Sequence, residues 1–219
     1  MAAFFFESFL EAPWEHLAWV LLVVFSICVH EYAHAAAALR CGDDTAARAG
    51  HLTLNPLRQM GLFSLVMLLV AGLAWGAVPV DTRALARRSD AARVAFAGPG
   101  SNLLLAAAFA LLCGAVLAFA GEAEAAAPLL VFLKLAAYIN ATLFLLNLLP
   151  VPILDGWAIL TVFVPALDGL RRRMGPMVGL LLFALLVGTR AIDLVWAGGA
   201  ALSGGMTRAA SGLFALAAR

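Results

Sequence analysis

Runs of apolar residues about as long as a bilayer is thick recur along this chain, and they set its fold class before any motif is considered. A hydrocarbon core of about 30 Å needs roughly 20 residues of helix, because a helix rises about 1.5 Å per residue. Five or six runs approach that length: 14–39, 62–80, 91–120, 128–149 continuing past two prolines to 164, 176–196, and a weaker Gly-rich run at 200–218. With 64% apolar residues, 12% charged residues and a mean hydropathy of +1.00, the chain reads as an all-α polytopic membrane protein embedded in a lipid bilayer, and a soluble globule is excluded. A net charge of +1 leaves no basic surface for nucleic acid. Cys28, Cys41 and Cys113 lack C-x-x-C spacing, which argues against a disulfide framework or a thiolate metal site.

Charge in the connections predicts a topology. Arg40, Arg48 and Arg58 follow the first run, Arg83, Arg87, Arg88 and Arg93 stand at the start of the third, and Arg171, Arg172 and Arg173 precede the fifth, whereas Glu122 and Glu124 follow the third. Under the positive-inside rule the three arginine clusters share the cytoplasmic side. The second run, which joins two of them, is then expected to be re-entrant, and Gly72, Gly76 and Pro79 suit a broken segment of that kind. The alternation His51-Leu52-Thr53-Leu54 ahead of Asn55-Pro56 reads as a short strand and turn, and 77–80 as a second strand, so a short β-rich, re-entrant region is expected between the first and third runs. Arg190 and Asp193, three apart near the end of the fifth run, read as a structural ion pair. The N-terminus carries Glu7, Glu11 and Glu15 in place of the basic start of a signal peptide, so the first run is expected to be retained. No repeat or linker divides the chain, which is read as one domain over 1–219.

Inside the first run stands His30-Glu31-Tyr32-Ala33-His34, the HExxH pattern. Residues four apart on a helix project about 40° from one another, so the two imidazoles point the same way and can share one zinc ion. Glu31 is turned about 100° from His30, close enough to act as a base on water without being a ligand. A shuffled chain of this composition would contain the pattern with a probability of roughly 0.0015. Ionisable groups at membrane depth are costly and need a polar partner, which a metal ion supplies. A catalytic zinc site takes three protein ligands and leaves a position open. His16 and His51 stand in polar surroundings, whereas Asp155, in Asn147-Leu148-Leu149-Pro150-Val151-Pro152-Ile153-Leu154-Asp155-Gly156, sits beside proline-broken structure in an apolar stretch and is the better third-ligand candidate.

These residues resemble the site-2 proteases, intramembrane zinc metalloproteases, and most closely their compact bacterial branch without a PDZ domain. The resemblance rests on HEYAH, GHLTLNP, AVPV, FAGPGSN at 96–102 and NLLPVPILDG at 147–156, in the family's order and spacing. It implies that His30, His34 and Asp155 ligate a single zinc, that Glu31 is the general base, and that Asn147 helps hold the substrate or its developing oxyanion. It further implies that Gly98, Pro99 and Asn102 mark a helix packed on the HExxH helix, and that the protein lies in a bacterial inner membrane and cuts membrane-embedded or membrane-proximal substrates. Gln59 stands where many relatives carry histidine, and Gly76 where they commonly carry lysine. A helical substrate hides its carbonyls in i to i−4 hydrogen bonds and must be unwound, and 77–80 is the candidate edge to hold it extended. A metal-ion or solute transporter, or a non-proteolytic zinc scaffold, are the competing readings. Neither explains a glutamate between the two histidines, and no internal repeat supports transport.

Overall fold

The computed structural model describes residues 12–121 and 123–217, with the backbone alone at 168 and 170–176. Glu7, Glu11 and Glu122, and the side chains of Arg171, Arg172 and Arg173, lie outside the described residues. The first helix, α1 (Pro13–Arg40), starts on a proline with Glu15 in its first turn and ends with Arg40 in its last, both favourable to the helix dipole. After it come two single-turn helices, α2 (Thr45–Arg48) and α3 (Pro56–Gln59), and then α4 (Gly61–Ala71). Asn55 caps α3 by accepting the Leu57 N–H at 3.0 Å, which is the turn expected at Asn-Pro. Helix α4 stops at Gly72, whose φ of 68° only glycine adopts without strain.

Helix α5 (Arg88–Ala120) opens with a capping box in which Asp90 accepts the Arg87 N–H. Beyond a 3₁₀ turn at Glu124–Ala126 lie α6 (Ala127–Asn147), α7 (Asp155–Phe163), α8 (Ala166–Gly188) and α9 (Ile192–Ala217).

The side-chain contacts give the packing directions. His34 meets Val94 while Ser26 meets Asn102, so α1 and α5 are antiparallel. Asn102 meets Asn140 and Cys113 packs on Leu130 and Leu133, so α6 runs back against α5. Gly114 and Gly199 let α9 close onto both: a Cβ on Gly114 would overlap Ala210, and one on Gly199 would overlap Thr142. Leu21, Leu104, Leu112 and Val131 face outward, while Ser26, Asn102, Asn140 and Thr142 are buried between helices. Large apolar side chains outward and polar ones inward is the distribution a lipid solvent favours.

Two expectations need correction. Among the described residues three helices, or four if the pair 177–188 and 192–217, bent by 73°, counts as one, are long and apolar enough to cross a membrane, fewer than the five or six runs. The difference arises because run 62–80 is helical only over the 11 residues of α4, about 16 Å of helix, and the continuation past Asn147 is broken by Pro150 and Pro152. The stretch 41–87 that contains run 62–80 nevertheless begins and ends at the same end of the bundle, because α1 and α5 are antiparallel. The bend in the last pair carries Arg190, at φ 60°, bonded to Asp193 at 2.8 Å.

The second correction concerns the β-rich region: among the described residues there is no strand, at 51–54 or at 77–80. A strand needs a neighbouring backbone, and side chains stand in its place. Gln59 donates to the carbonyls of His51 and Thr53. Ser64 Oγ donates to the Trp75 carbonyl and accepts its N–H, at 2.7 and 2.9 Å. Asp43 accepts the Asp81 N–H at 2.8 Å, and the backbone bonds are from Leu73 N–H to the Met67 carbonyl, where α4 ends, at 3.3 Å and from Ala77 N–H to the Gln59 carbonyl at 3.1 Å. The segment 73–80 is thus extended and held at single points, with its backbone edge beyond Ala77 unladdered.

Candidate metal centre

Helix periodicity alone brings His30 and His34 together, with Nε2 atoms 3.0 Å apart. The outward nitrogens explain how the rings are oriented. His34 Nδ1 lies 2.7 Å from the Val94 carbonyl, which can only accept, so this Nδ1 bears the proton and donates. His30 Nδ1 lies 2.6 Å from Asn102 Oδ1 and donates likewise. In both neutral rings Nε2 is therefore a bare lone pair directed inward.

Asp155 arrives from the far side. Pro150 and Pro152 end α6, and the chain turns back through Leu154 so that α7 begins on Asp155. Its Oδ2 lies 3.1 Å from His30 Nε2 and its Oδ1 3.3 Å from His34 Nε2. Gly156 makes this turn possible, since a Cβ there would overlap the carbonyls of Leu148 and Leu149. Gly98 does the same for α5, where a Cβ would overlap Nε2 of His30 and His34. The glycine and asparagine of FAGPGSN accordingly meet the histidine face of α1.

A divalent cation fits this arrangement on chemical grounds. In the neutral tautomers that the Nδ1 contacts select, two nitrogen lone pairs and a carboxylate converge, and Asp155 Oδ2 is buried without a hydrogen-bond donor. Such a cluster of acceptors is repulsive when empty and attractive around a cation. The ligand atoms of a tetrahedral zinc with bonds of about 2.0–2.1 Å stand about 3.3 Å apart, and the three separations here are 3.0, 3.1 and 3.3 Å. His30, His34 and Asp155 could together hold a metal ion.

These side chains open into a cavity of about 1110 Å³ that Glu31 and Asn147 also line. Asn147 donates to the Leu143 carbonyl at 3.0 Å, which uses one of its two amide hydrogens. Glu31 is buried beneath the extended segment, so that all five residues singled out in the sequence face one space. His51 is not among the cluster and pairs with Gln59 Oε1 at 3.2 Å. Sequence reasoning missed Asn140, buried and bonded to Asn102, and the approach of Gly76 to Glu31. An asparagine in the middle of the apolar run 128–149 was the available signal for the first. Nothing local marks the second.

Peptidase family M50 matches this chain over residues 18–119 and 111–188. A Bacillus subtilis protein named "Putative zinc metalloprotease YwhC" is 38% identical over 180 residues, covering 78% of this chain and 81% of its own length. Proteins named "Putative zinc metalloprotease Rip2" are 36% identical over 162 residues in Mycolicibacterium smegmatis and 40% identical over 144 in Mycobacterium tuberculosis H37Rv. The matches cover 68% and 62% of this chain, and it spans 59% and 52% of the length of those two relatives. No solved structure matches it. Family match and relatives agree with the donor set at His30, His34 and Asp155: the chain belongs to peptidase family M50, the site-2 proteases.

Proposed function

We propose that this protein is an intramembrane zinc endopeptidase of a bacterial inner membrane, a single domain over 1–219 that hydrolyses peptide bonds in membrane-embedded or membrane-proximal substrates. The observation that carries the reading is the convergence of two imidazole nitrogens and one carboxylate beside Glu31, within a bundle of long apolar helices. His34 and His30 lie six and ten residues from the end of α1 at Arg40, which puts the centre roughly 9–15 Å down from that end of the bundle.

His30, His34 and Asp155 would hold the metal at the wall of the cavity. Zinc bound there supplies Lewis acidity, making water a nucleophile near neutral pH and polarising a carbonyl. Glu31 accepts the proton of the attacking water and returns it to the leaving nitrogen. Asn147, with an amide hydrogen to spare, donates to the oxygen of the reacting carbonyl as charge develops there. The unladdered edge at 78–80 offers backbone groups to an unwound substrate, which binds by strand addition.

The test compares purified wild type with Glu31→Gln for zinc content and for cleavage of a membrane-spanning substrate. The amide keeps the size of the side chain and removes the proton acceptor. Zinc should be retained while cleavage falls by about 10²–10⁴. Cleavage at the wild-type rate would sink the protease mechanism and return transport or scaffolding to first place.

A further inference from the structure

We infer that Asn140 is a positioning residue for the metal centre: through Asn102 it sets the tautomer of His30, and so keeps Nε2 of that ring free for zinc. The inference rests on the metal reading above and extends it two residues beyond the ligands, onto a third helix.

A continuous hydrogen-bonded path leaves the metal centre through His30. Its Nδ1 meets Asn102 Oδ1 at 2.6 Å, Asn102 Nδ2 meets Asn140 Oδ1 at 3.1 Å, and Asn140 Nδ2 meets the backbone carbonyl of Ala136 at 3.0 Å. Both asparagines are fully buried, so no water competes for their amides. The path links α1, α5 and α6 at the centre of the bundle.

The direction of every bond in the path follows from its far end. A backbone carbonyl can only accept, so Asn140 must turn its NH₂ toward Ala136 and its oxygen toward Asn102. Asn102 must then present its NH₂ to Asn140 and its oxygen to His30. His30 Nδ1 must in turn carry the proton, which strips Nε2 of one. Reversing the path would set Asn140 Oδ1 against the Ala136 carbonyl and Asn102 Oδ1 against the Ser26 carbonyl, two buried oxygen pairs without a proton. It would also place a proton on His30 Nε2, aimed into the ligand cluster. Ser26 gives Asn102 a second acceptor, but at 3.4 Å it is the longer contact, so Asn140 is the main lock.

His34 needs no such relay, because its Nδ1 reaches the Val94 carbonyl directly. The difference has a geometric origin. Next to His34, α5 offers a backbone carbonyl, whereas next to His30 the facing position is a side chain whose amide could rotate. The orientation of that amide is decided on α6.

The experiment uses the full chain in lipid nanodiscs, with two readouts: the tautomer of His30 by ¹⁵N NMR of histidine-labelled, metal-free protein, and zinc affinity by competition with a chelator. Metal-free wild type should show His30 protonated at Nδ1. Asn140→Leu, close in size but without an acceptor, should populate both tautomers and bind zinc roughly 10–100-fold more weakly, the usual effect of losing an outer hydrogen-bond partner. Asn140→Asp in its neutral form keeps an acceptor for Asn102 and a donor for Ala136, and should stay near wild type in both readouts. Equal weakening by Asp and Leu would assign Asn140 to packing alone and overturn the inference. So would an unchanged tautomer in Asn140→Leu, or a wild-type His30 protonated at Nε2, which requires no variant to fold. Failure of the metal reading shows separately, as a wild-type chain that takes up no zinc.

Discussion

Gly76 lies so close to the carboxyl group of Glu31 that a Cβ built on it would overlap Cδ and Oε1. The extended segment is therefore in van der Waals contact with the residue proposed as general base, and the backbone that would receive a substrate also fixes where that base sits. Gly76→Ala should displace one or the other. A misplacement of about 1 Å can cost roughly 10² in rate, so cleavage should fall by that order while zinc content is unchanged. Full activity in this variant, measured against a membrane substrate, would show that the contact is slack.

Asp155→Ala and Asn147→Ala should separate metal binding from chemistry. Removing Asp155 leaves two imidazoles to hold the ion, and zinc affinity should drop beyond the roughly 10–100-fold that an outer partner contributes, with activity lost in parallel. Removing Asn147 should leave zinc in place and lower kcat by about 10²–10³, the scale of one oxyanion donor. Zinc analysis beside cleavage kinetics distinguishes the two patterns, and a zinc-replete Asp155→Ala protein would exclude that carboxylate as a ligand.

Asp43 ties the end of the extended segment to the end of α1. Its fully buried carboxyl accepts the N–H groups of Thr45 and Asp81 at 2.9 and 2.8 Å. Burial acts to raise its pKa, but the Thr45 and Asp81 bonds and nearby Arg48 outweigh it and hold the group below its ordinary value of 3.8. A pKa lowered by folding means that the stabilisation is complete above about 3.8 and is lost as pH falls through the lower, folded-state value. Asp43→Asn should remove about 1–3 kcal/mol at neutral pH and abolish this part of the acid sensitivity, as read by unfolding in detergent.

The antiparallel pairing of α1 with α5 predicts that 41–87 leaves and re-enters the bundle at one end. Cysteines introduced at Arg48 and Arg83, with Cys41 removed, should react with an impermeant thiol reagent from the same side of sealed vesicles. Reaction from opposite sides would mean that the Gly61–Ala71 helix and the segment after it cross the bilayer.

Much of the centre was legible because it is written in local periodicity. Four-residue spacing places His30 and His34 on one face whatever surrounds them, and paired prolines before Asp155 announce broken structure in an apolar stretch. Membrane residence followed from composition, since runs this long and apolar have no other solvent. Hydropathy overcounted spans because it measures solvent preference and not chain direction. Run 62–80 is apolar apart from Ser64, yet Gly72 ends its helix after 11 residues, and whether a segment then turns back is decided by which helix ends it must join. The strands failed for a related reason: alternation predicts an extended backbone, which 73–80 has, but a ladder needs a second backbone, and Ser64, Gln59 and Asp43 occupy that place.

By itself, then, the sequence determined the solvent, the pair of histidines, the glutamate between them and the broken stretch that carries the third acceptor, all features that act within about ten residues. Only the tertiary structure decided what comes together across helices: Asp155 beside His30 despite the 124 residues between them, Gly98 against both imidazoles, Gly76 over Glu31, and Asn140 behind Asn102. Hydrogen-bond direction is the clearest case. An asparagine amide in a sequence has no orientation, and it acquires one when a neighbouring helix sets an obligate acceptor against it.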